Sequence, residues 1–191
     1  ISILVTRRTE LESVGQQLVF TNGCFDLLHV GHVRYLREAR ALGDALVVAI
    51  NSDDSVRALK GEGRPLNSVS ERAEVLIGLE SVDYVVMFDG IRATGLIEEI
   101  RPHIYAKGGD YTEETLDTDE KEALAGAGSR IEILSRVEGK STTALLASTG
   151  GQSGKNFIRL GILGSGEGTN FESIVDAIRD GTLNAEVAIV I

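Results

Sequence analysis

The sequence predicts an α/β protein built on an open, doubly wound parallel sheet. Three observations carry that class. Short apolar runs rich in Val and Ile recur without alternation, as in strands covered on both faces. Stretches of helical periodicity separate them. The first strand runs directly into a Gly-containing turn and then a helix, Phe20-Thr21-Asn22-Gly23-Cys24-Phe25-Asp26-Leu27-Leu28-His29-Val30-Gly31-His32. Such a βαβ rhythm places ligands beyond the carboxyl ends of the strands.

In chain order, the apolar runs predict strands over 18–21, 45–51, 84–88, 104–107 and 130–134. The helix over 33–42 carries Tyr35, Leu36, Ala39 and Leu42 on one side and Arg34, Arg37, Glu38 and Arg40 largely on the other. The helix over 70–79 opens on Ser70 and an acidic turn, followed by Val75, Leu76 and Leu79. Further helices are expected over 95–100 and 120–127. Small, Gly-rich residues over 148–154 then mark a linker. The organisation read from this is a first domain over 1–147, a linker over 148–156 and a fragment over 157–191. That fragment reads as a strand over 157–163, a glycine turn, a helix over 171–179 and a strand over 187–191. Some 35 residues of this kind are too few to bury such a core alone.

The chain has 191 residues, 42% apolar and 25% charged, which is ordinary for a globular protein. Its formal net charge of −10 argues against duplex nucleic acid or an anionic membrane as partner. One cysteine excludes an intramolecular disulfide and points to a reducing, cytoplasmic setting. No run is long and apolar enough for a membrane-spanning helix.

Two of the three histidines, His29 and His32, stand three residues apart at the first strand-to-helix corner. Such a corner offers backbone N–H groups and the positive end of a helix dipole to a phosphate. Gly31 lets a ligand approach the backbone. The bland alternative is a pair of capping or core histidines. Zinc is not expected, since no cysteine or second histidine cluster supports it. Arg136-Val137-Glu138-Gly139-Lys140-Ser141-Thr142-Thr143 offers hydroxyls and charge to a phosphate, or simply caps the next helix. Lys60, read as lying on a Gly-flexible loop, is a candidate clamp for phosphates, and Arg72 is either a surface residue or another phosphate contact. Gly108 and Gly109 at a strand end permit a base or sugar to approach closely, and Asp110 can accept from sugar hydroxyls; a tight turn is the alternative. Cys24 reads as a small buried residue, and the acidic run through Asp117, Asp119 and Glu120 as a solvated face.

The His29–His32 motif together with 136–143 resembles the cytidylyltransferase-type nucleotidylyltransferases. Asn51-Ser52-Asp53, Lys60-Gly61-Glu62-Gly63-Arg64-Pro65 and Lys107-Gly108-Gly109-Asp110-Tyr111 bring it nearest to the adenylyltransferase domains of ADP-heptose synthesis. The resemblance spans roughly residues 10 to 147. It implies a Rossmann-like sheet that joins AMP from ATP to a sugar 1-phosphate, with Mg²⁺ bridging ATP oxygens. It implies catalytic roles for His29, His32, Lys60 and Arg136. Nucleotide contacts fall to Asn22, Gly23, Cys24, Phe25, Gly31, Gly108, Gly109, Arg136, Ser141 and Thr142, and substrate contacts to Asp26, Arg72 and Asp110. Gly109 stands where cytidylyltransferases carry an aspartate, which favours adenine. The tail, Leu160-Gly161-Ile162-Leu163-Gly164-Ser165-Gly166-Glu167-Gly168-Thr169-Asn170-Phe171, resembles the opening of glycinamide ribonucleotide formyltransferase without that family's later catalytic residues. A homodimer, an upstream kinase and a downstream formyltransferase are left open by the sequence.

Overall fold

The computed structural model describes residues 1–108, 115–134, 158–162, 178–179 and 185–190. The chain forms two compact units, Ile1–Leu145 and Leu146–Ile191. In the first, the described elements are α1 (Ser2–Ser13), β1 (Leu18–Gly23), α2 (Val30–Arg40), β2 (Ala45–Asn51), α3 (Asp53–Lys60), α4 (Val69–Ile77), β3 (Tyr84–Phe88), α5 (Thr94–Ile100), β4 (Ile104–Gly108), α6 (Thr118–Ala127) and β5 (Arg130–Leu134). The five strands make one sheet in the order β3-β2-β1-β4-β5, and every pairing is parallel. The expected strands are all present, with ends shifted by no more than two residues.

Alternate side chains of the central strands feed two cores. Leu18, Phe20, Val47 and Tyr105 point to one face, where Leu4 and Leu11 of α1, Leu96, Ile97 and Ile100 of α5 and Leu124 of α6 cover them. Val19, Leu46, Val48, Ile50 and Ala106 point to the other, beneath Leu36 and Ala39 of α2 and Leu76 of α4. β2 is buried along its whole length, which is why its sequence shows no polar alternation.

Two helices lie outside the sequence expectation. α1 buries only Leu4 and Leu11, two turns apart, and leaves Ile3 exposed, so it shows no clean apolar stripe. α3 occupies the segment read as a loop, and Lys60 is its last residue. Its start is set by Ser52, whose hydroxyl accepts the Ser55 N–H, with Asp53 and Asp54 in the first turn to complement the dipole. Gly61, at φ +88°, ends it in a conformation open to glycine.

In the second unit, β6 (Ile158–Ile162) and β7 (Ala185–Val190) pair in parallel. Residues 178–179 are helical, and the rest of the helix expected over 171–179 lies outside the described residues.

Candidate active site

The sheet order reverses between β1 and β4. β1 leads into α2 on one face, whereas β4 leads toward α6 on the other. The two connections diverge, and the crevice between their strand ends is where such sheets bind ligands.

The turn after β1 is tightly folded. Phe25 sits in the left-handed region at φ +45°, an outlier for a bulky residue. Its ring folds back over Gly23, where a Cβ would come within 3.0 Å of Phe25 Cε2. The same ring packs against His32, with centroids 5.4 Å apart. Gly108 is likewise closed: a Cβ there would lie 2.5 Å from Tyr35 Cε2. The Tyr35 hydroxyl donates to the Ala106 carbonyl at 3.0 Å and lies 2.6 Å from Thr21 Oγ1, so the ring cannot retreat. The side-chain faces of Gly23 and Gly108 therefore serve internal packing; the expectation that Gly108 opens its backbone to a base is corrected on that face.

His29 and His32 stand together, ring centroids 4.0 Å apart. His29 is the N-cap of α2, and its Nδ1 accepts the Gly31 N–H at 3.1 Å. The His29 N–H in turn donates to His32 Nδ1 at 3.3 Å. The His32 and Val33 N–H groups donate to the His29 carbonyl. The pair therefore caps α2, as the bland alternative expected, with both rings side by side at the crevice. Of the amides at this corner, those of His29, Gly31, His32 and Val33 are taken by the imidazoles and by a carbonyl. Each Nδ1 acts as an acceptor, which puts the proton of each neutral ring on Nε2. Burial, with the nearby charges of His29 and Lys60, pushes His32 down to about 4. At neutral pH His32 is an uncharged hydrogen-bond donor, not a cation.

Lys60 is exposed at the end of α3, and its charge is felt at both His32 and Cys24. The Cys24 thiol lies 3.7 Å from Asn51 Oδ1. Burial pushes it up, against the pull of Lys60, Arg72 and Lys107. A protonated thiol is a packing group here, not a nucleophile.

Asp26 and Arg72, expected to face substrate, are turned inward. Asp26 is buried and accepts from Arg64, from the Leu66 N–H at 2.7 Å and from the Asn67 N–H at 3.3 Å. Burial raises its pKa, but these bonds outweigh that and hold the carboxyl below its ordinary range. It staples the 61–68 segment to the turn after β1. The Arg72 side chain is 1% exposed. It donates to the carbonyls of Cys24 at 2.6 Å, Asn51 at 2.8 Å and Asn67 at 3.1 Å, and to Asp53 at 2.8 Å. It bolts the ends of β1 and β2 together.

Sequence reasoning missed a polar network on the other side of the crevice. Lys107 Nζ donates to Asn22 Oδ1 at 2.9 Å and to the Tyr105 hydroxyl at 3.0 Å. That hydroxyl lies 2.8 Å from Asn22 Oδ1 and 3.3 Å from Glu120 Oε2. Asn22 Nδ2 donates to Glu120 Oε1 at 3.4 Å, which also accepts the Ala93 N–H at 3.3 Å. The Asn22 amide is engaged within the protein. Glu120, read as solvated, is 5% exposed. Its spacing gave a signal: 120, 123, 124 and 127 share one helix face, and Ala123, Leu124 and Ala127 are the buried apolar residues of α6. Gly109, Asp110, Arg136, Ser141 and Thr142 lie outside the described residues. Among the described residues no helix is long and apolar enough to cross a membrane.

The family model described as cytidylyltransferase-like matches residues 20–146. The chain is 54% identical over 132 residues to "Bifunctional protein HldE" of Pelobacter propionicus, an alignment covering 69% of this chain and 27% of that protein. The protein of the same name from Methylococcus capsulatus is 52% identical over 136 residues, covering 71% and 28%. The chain thus spans about a quarter of the length of these relatives. Among solved structures, the lipopolysaccharide core biosynthesis protein of Thermoplasma volcanium matches with a TM-score of 0.54 at 27% identity, covering 66% of this chain and 100% of that one. A strand-to-helix corner with paired histidines, on a parallel sheet matched by this model, identifies the chain as a nucleotidyltransferase belonging to the cytidylyltransferase-like family.

Proposed function

We propose that the chain transfers AMP from ATP to a sugar 1-phosphate, with heptose 1-phosphate as acceptor. The observation that carries this reading is the histidine pair, locked by its own capping bonds at the carboxyl end of β1. Support for the acceptor comes from the heptose-type motifs in the sequence and from relatives above one-half identity.

An oxygen of the sugar phosphate attacks the α-phosphorus of ATP. The bond from that phosphorus to the bridging oxygen breaks, and pyrophosphate leaves with the electron pair. No protein nucleophile is needed, so catalysis rests on alignment and on donors placed where charge grows. His29 and His32 offer Nε2–H groups that are already oriented, so little reorganisation is paid at the moment of transfer. Lys60 supplies positive charge from the end of α3, and Arg136, Ser141 and Thr142 complete the proposed donor set. Among the described residues no group of three His, Cys, Asp or Glu side chains is placed to hold a metal. Mg²⁺ bound with the triphosphate would offset charge on the phosphates, and no described side chain is assigned to hold it. An upstream kinase in the same polypeptide fits the word bifunctional in the relatives' name and belongs to this proposal.

The test is a panel of sugar 1-phosphates and glycerol 3-phosphate, each with ATP or CTP, scored for pyrophosphate. ATP with heptose 1-phosphate is expected to give the fastest release. Preference for CTP with glycerol 3-phosphate would move the chain to another branch of the family, and nucleotide binding without turnover would make it a binding module.

A further inference from the structure

The crevice between β1 and β4 holds an ammonium group that the reaction scheme above leaves unused. Lys107 is the penultimate residue of β4, and Asn22 of β1 lies across from it, joined by the 2.9 Å bond. Half-buried ammonium groups are costly and call for a reason. The carboxylate of Glu120 compensates this one from behind, through Tyr105 and Asn22. The field of Lys107 reaches Cys24, in the turn leaving β1. Lys60 acts on the same thiol from α3. Lys107 thus sets a positive charge beside Asn22, at the end of β1, in a chain whose net charge is −10. The nearby carboxylate of Asp26 is already tied to Arg64.

We propose that Lys107 binds the triphosphate of the nucleotide, as a cation additional to Lys60 and Arg136, and that Glu120 is the positioning residue that holds it at the crevice. The proposal rests on the nucleotidyl-transfer reading of the site. Burial pulls the Lys107 ammonium below its ordinary range, and Glu120 pulls it back. A phosphate arriving there would keep it charged.

The test is calorimetric titration of the full chain with ATP, with inorganic pyrophosphate and with adenosine. Lys107→Met alone leaves Glu120 buried without its counter-charge, so the primary variant is Lys107→Met with Glu120→Gln. Lys107→Gln with Glu120→Gln, which keeps donors for Asn22 and Tyr105, is the second variant, used in the same way if the first does not melt cooperatively. The expected result is adenosine affinity within twofold of wild type, with ATP and pyrophosphate weakened at least ~10-fold, since one lost charged contact is worth about that much. Unchanged ATP affinity overturns the proposal. Equal weakening of adenosine and ATP also overturns it, because that is the mark of a merely structural lysine. A wild-type chain that does not bind ATP sinks this proposal and the reaction together. ATP binding sensitive to Lys107, without turnover on any sugar 1-phosphate, sinks only the acceptor assignment.

Discussion

Replacing Arg72 with methionine removes a cation beside the site, yet the structure predicts a folding defect rather than a lost phosphate contact. The guanidinium donates to three main-chain carbonyls, those of Cys24, Asn51 and Asn67, and to Asp53. Asp53 keeps 36% of its side chain exposed, so water can replace that partner and the ion pair adds little. The carbonyls are different. Each buried acceptor stranded without a donor costs ~1–3 kcal/mol. Asn51 is buried, and water can reach it only if the ends of β1 and β2 part. Allowing for relaxation in the 61–68 segment, the loss is about 3 kcal/mol, or roughly 10 °C in melting temperature for a domain of this size. Thermal melts followed by far-UV circular dichroism give the first number. ATP titration well below the melt gives the second, and it should stay within a few-fold of wild type. A variant that melts like wild type but no longer binds ATP would refute the reasoning, because Arg72 would then face the ligand.

Three further outcomes follow from the same contacts. Asp26→Asn should cost ~1.5–3 kcal/mol, the usual worth of hydrogen bonds to a charged group. Because the Asp26 carboxyl is held low in the fold, its contribution is complete above the ordinary value of 3.8 and drains away as pH falls through the lower folded value. Urea midpoints above and below that pH should converge with those of Asp26→Asn only on the acid side. Gly108→Ala forces a methyl to 2.5 Å from a ring pinned by two hydrogen bonds, and should lower stability by ~1–3 kcal/mol in the same urea titration. His32 stays neutral in the fold down to about 4 but takes a proton near 6.5 when unfolded. The chain should therefore lose stability as pH falls across that interval, and His32→Gln should flatten the slope in a pH series of melts.

The sheet was legible because buried parallel strands are apolar throughout, and Ala45–Asn51 is the clearest case. The histidine corner was legible because its spacing places two rings on one turn. What the sequence concealed was direction. Arg72 and Asp26 are polar residues near the turn after β1, and nothing in their type or spacing says that one side chain is spent on carbonyls and the other on Arg64. Gly108 looked like room for a ligand and Gly23 like a nucleotide contact, whereas aromatic rings fill the space on their side-chain faces. α1 was hidden because two leucines suffice to dock it. Glu120 was misread because an acidic neighbourhood suggests solvent, although its own position lies on the apolar stripe of α6. Pairwise contacts across the sheet decided each of these, and such contacts have no local signature.

The most direct measurement on the central claim is steady-state pyrophosphate release from ATP and heptose 1-phosphate by His32→Ala beside wild type, each first shown to melt cooperatively. Loss of the His29 N–H acceptor should lower stability by only ~0.5–2 kcal/mol, as for other helix caps. Turnover should fall by ~10²–10³, the usual consequence of removing one preorganised donor to a charged transition state. A folded His32→Ala protein that releases pyrophosphate at close to the wild-type rate would contradict the account.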